Sequence, residues 1–400
     1  MINIYHNYNF NEIIRSEALN NNSKLINNRI LHIKNNLEFK IFCKSYEAHN
    51  TLLTLIIVIS DMDIEFIKNS LNAVTNQLYE KPEIIFINHG CKKEIKLMID
   101  NYFKNYPYAQ LVEIKNNKYP ELDDEKNSLI NLWNLGLFIS KGEYVYQLSP
   151  DDIISKKYTF FITNHFKLNQ KCISIIPRVL SIDDKNRINK IKSKSYKLDF
   201  YNYFSNYDLM DKVIFKKDIL SPGGAVVTKT KILIKFGGFN LCSDFSQYFV
   251  NCCIGINGYC YAAKLIWRHH PNQTNKKETR QGLIRYKIYY EYFYKYNLFD
   301  IHKKFLNDEY ARKFKKFYFG FIENKVIDDF RLIYRSGNTK ITINAIEQIF
   351  NQSNKNLLMS CIKIVITDFM YHIYNKFLIL RVMYRFMKSN IDFFSKKSRR

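Results

Sequence analysis

The sequence predicts an α/β fold: a mostly parallel sheet flanked by helices, followed by a helical, basic C-terminal region. Three observations carry that prediction. Apolar, β-branched runs recur that are too short for helices and do not alternate with polar residues, as in strands buried on both faces. Between them lie segments whose apolar residues repeat at helical spacing. Strands alternating with helices in this way pair in parallel through right-handed crossovers.

Taken in order, residues 1–50 are polar and rich in Asn, with a strand or helix at 39–42. They read as an N-terminal leader packed against the domain that follows. That domain spans 51–275. It opens on a nearly continuous apolar run at 52–59, and then Ile64, Ile67, Leu71, Val74 and Leu78 form one helical stripe. A second buried strand at 83–87 ends in Asn88-His89-Gly90. A helix at 93–105, a strand at 109–114, a polar loop with Pro120, a helix at 124–140 and a strand at 144–148 complete the pattern. Asp61, Asp63, Asp123 and Asp124 read as loop acids or helix starts, where carboxylates favour the positive end of the helix dipole. Residues 178–220 are charged, aromatic and without clear period. A long irregular stretch is usually functional, and this one is expected to border a ligand cleft.

The chain carries 61 Lys and Arg against 37 Asp and Glu, a formal charge of +24. Residues 276–400 hold 26 basic and 11 acidic residues, a difference of +15, so most of the excess belongs to the last third. Such a surface favours anionic partners. No nucleic-acid motif accompanies the charge, which ranks nucleic acid low. The helical pattern of the tail breaks at Ser336-Gly337-Asn338. Lys363, Arg381, Arg385 and Lys388 share one side of a helical projection, and Lys396, Lys397, Arg399 and Arg400 end the sequence. Most of the tail reads as a solvated helical face, and its end as a contact for anionic membrane. The eight cysteines include no Cys-x-x-Cys pair, which argues against zinc and fits a reducing, cytoplasmic compartment. No secretory signal pattern opens the sequence, and no uncharged apolar run is long enough for a spanning helix.

The most informative stretch is Lys141-Gly142-Glu143-Tyr144-Val145-Tyr146-Gln147-Leu148-Ser149-Pro150-Asp151-Asp152, a buried strand running into a turn with two adjacent carboxylates. Ligands of open α/β sheets bind outside the carboxyl ends of the strands. A divalent cation of the Mg²⁺ type takes one or two carboxylates together with phosphate oxygens, so an acidic pair there suits a nucleotide diphosphate. Pro and Asp are also ordinary turn formers.

The ordered series of segments resembles family 2 glycosyltransferases, which have the GT-A fold, over about residues 51–275. The resemblance is carried by residues 55–61, Asn76-Gln77-Leu78-Tyr79, residues 83–91, Asn134-Leu135-Gly136, Lys141-Gly142-Glu143-Tyr144 and Leu148-Ser149-Pro150-Asp151-Asp152. Further on, Gly223-Gly224-Ala225, Gly237-Gly238-Phe239, Ser243-Asp244 and Arg268-His269-His270-Pro271-Asn272-Gln273-Thr274 look like the acceptor half. The resemblance implies transfer of a sugar from a nucleotide-sugar to a hydroxyl of a glycan, glycolipid or protein, with Mn²⁺ or Mg²⁺ and with inversion.

It further implies roles residue by residue. Ser60 lies near the ribose or base. Asn88 stands where the family usually has an Asp that accepts a hydrogen bond from the base, and His89 also replaces an acid; Asn88 reads equally as a turn residue. The metal motif is usually Asp-x-Asp, but its first position here is Ser149, a poorer ligand for a hard cation. Asp151 takes the metal-binding position, with Asp152 beside it. Asp244 matches the general base and could also cap a helix, and Ser243 replaces the usual Glu before it. An Arg-x-His near a strand end could meet a metal or diphosphate, which puts Arg268 at the diphosphate and His270 at the metal; His270 reads equally as a histidine satisfying a local hydrogen bond, and His269 is a weaker candidate. The four glycines permit turns and close approach to a ligand. The departures at Asn88, His89 and Ser149 also fit a catalytically inactive GT-A-like binding or scaffold protein.

Overall fold

The computed structural model describes residues 5–21, 24–44, 52–117, 124–188, 201–204, 225–239 and 255–270, with positions 308, 309, 312 and 316. The chain divides into two compact units: Met1–Gln273 with Asn297–Ala311, and Thr274–Tyr296 with Arg312–Arg400. All the elements named below lie in the first. Of the expected helices of the basic tail, only positions 308, 309, 312 and 316 are described, and these are helical; the rest falls outside the described residues.

At the centre are β3 (Leu53–Ile59), β4 (Glu83–His89), β5 (Ala109–Asn117) and β6 (Tyr144–Gln147), all parallel to one another. Their connections are α4 (Ile64–Thr75), α5 (Lys93–Asn105) and α6 (Asp124–Ile139). β3 is buried along its whole length because both faces are covered. Leu53, Leu55, Ile57 and Ile59 pack in one core with Ile67, Leu71 and Val74 of α4 and Ile95, Ile99 and Phe103 of α5. Ile56 and Val58 point the other way, into a second core with Leu132, Leu135 and Phe138 of α6. Gly136 lets α6 sit close on the sheet, since a Cβ there would lie 2.6 Å from Ile56 Cγ2. The helical stripe at 64–78 is shorter than its spacing suggests. The α4 helix stops at Thr75, and Leu78 is exposed on the turn beyond it.

The N-terminal segment does more than pack against the domain. β1 (Tyr5–Tyr8) and β2 (Leu37–Lys44) join the sheet itself, β2 pairing antiparallel with β5 and β1 with β2. Between them run α1 (Phe10–Ile13), α2 (Ser16–Leu19) and α3 (Lys24–Asn36), which places Ile26, Ile30 and Ile33 in the second core. The ambiguous stretch at 39–42 is therefore strand.

Beyond β6 come β7 (Ile153–Ile154), α7 (Tyr158–Leu168), β8 (Cys172–Asp183), β9 (Tyr201–Phe204), β10 (Val227–Lys229), α8 (Thr230–Lys235) and β11 (Ile256–His269). The sheet order is β1-β2-β5-β4-β3-β6-β10-β8-β11-β7, with β9 on β11. β10 is antiparallel to both its neighbours, and β8 and β11 run parallel across a bulge between Cys260 and Lys264. The stretch 178–220 is thus regular at its start, in β8, and again at β9; the periodicity of β8 is masked by Pro177 and Arg178. Gly237 and Gly238 take the left-handed turn expected of them, at φ 99° and 75°. The close approach they permit is to protein. Asn134 of α6 donates to the Phe239 carbonyl and accepts from its N–H, each at 2.9 Å. Gly223 and Gly224 lie outside the described residues.

Candidate functional site

From β3 the chain steps to β4 and β5 on one side, with α4 and α5 on one face. The α6 helix then returns it across the other face to β6, on the opposite side of β3. The strand order reverses between β3 and β6, and the crevice outside their carboxyl ends is where ligands of such sheets bind. Ser60 follows β3 and Ser149 to Asp152 follow β6, so the topology brings these two segments to one crevice.

The turn after β6 is closed by the Asp152 N–H donating to the Ser149 carbonyl at 3.1 Å. It leaves Ser149 exposed while Asp151 and Asp152 are buried. What buries them is the end of β11. The Arg268 N–H donates to Asp152 Oδ1 at 3.1 Å, and Arg268 Nε donates to the Asp151 carbonyl at 3.2 Å. His270 Nε2 lies 3.0 Å from Asp151 Oδ2. Asp151 and His270, both expected at a metal, therefore meet side by side. Burial raises the Asp152 carboxyl well above the ordinary carboxylate range, and the neighbouring Asp151 pushes it the same way. The Arg268 N–H and its guanidinium oppose both effects.

Two residues of this cluster were not singled out from the sequence. Phe66, in the first turn of α4, lies under the Arg268 guanidinium at 4.4 Å and against the His270 ring at 5.2 Å. Asn186, in the turn after β8, accepts from Arg268 Nη1 at 2.7 Å. A signal existed for each. Phe66 is an apolar residue off the helical stripe just after a strand end, and Asn186 follows Asp-Asp-Lys in a turn, where it adopts φ 62°. Arg268 itself is wholly buried, and its contacts are with protein. Its bonds to Asp151 and Asp152 brace the acidic turn.

Across the crevice, the loops after β3 and β4 are tied together. Asp61 accepts from the Lys92 N–H at 2.7 Å, and the Cys91 thiol donates to the Ile59 carbonyl at 3.1 Å. Asn88 is buried, and its side-chain oxygen accepts from the Cys91 N–H at 3.2 Å. That is the turn role; an amide oxygen has a second lone pair for another donor. Asp63 caps α4 by accepting from the Glu65 N–H at 2.9 Å. Ser60 is exposed at the rim and His89 half-buried. Asp244, Ser243 and residues 271–274 lie outside the described residues.

Among the described residues no group of three or more His, Cys, Asp or Glu is poised to hold a metal ion. The donors present nonetheless fit one. A carboxylate and an imidazole side by side suit Mn²⁺, and hard cations of this kind complete their coordination with phosphate oxygens and water.

No protein-family model matches the chain, and no curated protein matches it. Solved structures similar to it include S. aureus TarS 1-349 in complex with UDP-GlcNAc, at 11% identity over 70% of this chain and 81% of that one, with a TM-score of 0.47. The same protein in complex with UDP is 13% identical over 65% and 72%, with a TM-score of 0.45. GalNAc-T7 with UDP, GalNAc and Mn²⁺ is 11% identical over 56% and 45%, with a TM-score of 0.40.

Proposed function

We propose that this protein is a glycosyltransferase that moves a sugar from a nucleotide-sugar to a hydroxyl of a glycan, glycolipid or protein. The observation that carries this reading is the buried Asp151–His270 contact at the switch point between β3 and β6. Asp151 and His270 would hold the divalent cation, Mn²⁺ or Mg²⁺, which neutralises charge on the departing diphosphate. Arg268 and Phe66 fix the acidic turn in place, and Arg268 keeps it from collapsing under the repulsion of its own carboxylates. Ser60 and Asn88 border the nucleoside, and Ser149 faces the open crevice.

By resemblance, Asp244 takes the acceptor hydroxyl's proton while the acceptor oxygen bonds to the anomeric carbon. The bond from that carbon to the diphosphate oxygen breaks, its electrons leave with the nucleotide, and the configuration inverts. Residues 178–220 border the acceptor side; the Asn186 contact with Arg268 supports this, since it joins that stretch to the acidic turn. The end of the basic tail holds the protein at an anionic membrane on its cytoplasmic face.

A thermal-shift panel of nucleotide-sugars, with and without Mn²⁺ or Mg²⁺, tests the reading. A true donor at a hundredfold excess over its Kd stabilises by about 2.7 kcal/mol. Silence toward every nucleoside diphosphate counts against it. A second reading, a GT-A-like binding protein without turnover, is favoured by Ser149, a hydroxyl where the family has a carboxylate. Donor binding without transfer, unchanged by Asp244→Asn, identifies it.

A further inference from the structure

The turn after α4 carries a feature that the proposed activity does not use. Leu78 is 44% exposed and Tyr79 70%, side by side at the surface. Tyr79 holds φ 72°, a left-handed conformation that a tyrosine rarely adopts, so the chain turns sharply and presents both side chains outward. The tip is rigidly set. Gln77 is wholly buried beneath it, donating to the Ala73 and Ser155 carbonyls at 2.8 and 2.9 Å and accepting from the Thr159 N–H at 3.0 Å. The Leu78 N–H donates to the Lys156 carbonyl at 2.8 Å.

The surroundings are basic. Lys157 Nζ lies 5.3 Å from the centre of the Tyr79 ring, Lys156 is bonded through its backbone, and Lys81 follows two residues later; all three lysines are exposed. The one carboxylate of the turn, Glu80, is matched by Lys167 at 2.7 Å. Lys81 Nζ donates to the Thr75 carbonyl at 3.4 Å, and among the described residues none of the three lysines has a carboxylate partner. An aliphatic and an aromatic side chain ringed by such lysines suit the boundary between anionic headgroups and acyl chains. Tyrosine favours that level, and lysine stems lie along apolar surface with their ammonium groups at the phosphates. Nucleic acid fits less well, because the Tyr79 ring on which a base would stack is flanked by Lys157 at 5.3 Å and by Phe160 at 5.1 Å, and a leucine has no π-face. The tip lies at the opposite end of α4 from Phe66. That helix has 12 residues, so roughly 18 Å of helix separate it from the crevice at 1.5 Å per residue.

We infer that Leu78 and Tyr79, with Lys81, Lys156 and Lys157, form a contact for an anionic lipid surface, distinct from the basic tail and from the candidate site. The test uses the full chain and phosphatidylcholine vesicles with or without phosphatidylglycerol. The Tyr79→Trp chain, after subtraction of the wild-type signal from its two native tryptophans, should show a blue shift on anionic vesicles. Brominated acyl chains should quench that emission. The double substitution Lys156→Gln and Lys157→Gln should weaken vesicle binding about thirtyfold, at roughly fivefold per lysine. Vesicle binding with no shift, no quenching and no loss on the double substitution would assign attachment to another surface and overturn the inference. So would a shift with single-stranded RNA and none with vesicles.

Discussion

Two buried carboxylate sites stand at opposite ends of the same four strands, and they are built differently. At the amino end, Glu83 opens β4 and accepts from Thr54 Oγ1 at 2.6 Å, Gln110 Nε2 at 2.6 Å and the N–H groups of Lys141 and Gly142 at 2.7 and 3.4 Å. A carboxylate so surrounded has its charge answered by protein, and it joins β3, β4, β5 and the entry to β6. At the carboxyl end, Asp151 meets His270, and Asp152 accepts from the Arg268 N–H, with the two like charges adjacent. The first site is finished within the fold. The second leaves two carboxyl groups adjacent in the interior, and the fold carries the cost.

The comparison can be broken by substitution. Glu83→Ala leaves several buried donors without an acceptor and should cost at least about 3 kcal/mol in urea unfolding. A loss under 1 kcal/mol would mean the network contributes little. Arg268→Met keeps the stem but removes the donors to Asp151 and Asn186, and should cost about 2–3 kcal/mol and abolish any nucleotide-dependent shift. An unchanged nucleotide response would remove Arg268 from the account.

His165 lies wholly buried behind β11, its ring edge-on to Tyr203, and burial lowers its pKa to about 4. Because the folded value lies below the unfolded one, the stabilisation is complete above about pH 6.5 and is lost as pH falls toward 4. Stability should therefore drop by about 2 kcal/mol between pH 7 and 5, and His165→Phe should flatten that slope. An identical slope in the variant would exclude His165 as its source.

The smallest effect has the opposite sign. Asp152 has a raised folded pKa, so its stabilising contribution is complete below the ordinary carboxylate range and is lost as pH rises through the raised value. Without metal, Asp152→Asn should thus gain about 1 kcal/mol near pH 8 and nothing near pH 4. A destabilised variant at pH 8 would show that the acid pair is structural, like Glu83.

The central strands and helices were legible because burial on both faces leaves an unbroken apolar run, as at Leu53–Ile59, and an amphipathic helix leaves a stripe, as in α5. The edges were not. β2 reads Leu-Glu-Phe-Lys-Ile-Phe-Cys-Lys, and its polar residues hide a strand whose pairing with β5 is long-range. Of the candidate site, the acidic turn and His270 could be found locally, because strand ends and carboxylates are written in consecutive residues. Local signals could mark Phe66 and Asn186 singly, but their meeting at Arg268 depends on contacts across 82 to 117 residues or on a neighbouring helix, which no local pattern encodes. Glu83 looked like an ordinary strand start for the same reason.

The central claim is that the Asp151–His270 corner holds a nucleoside diphosphate through a divalent cation. Calorimetric titration of UDP and GDP into the wild-type protein and the Asp151→Asn variant, each with and without Mn²⁺, tests it most directly. The account predicts Mn²⁺-dependent binding of at least one nucleotide to the wild type, weakened at least about tenfold in the variant, the equivalent of 1.4 kcal/mol. Nucleotide binding that is indifferent to both Mn²⁺ and the substitution would contradict it.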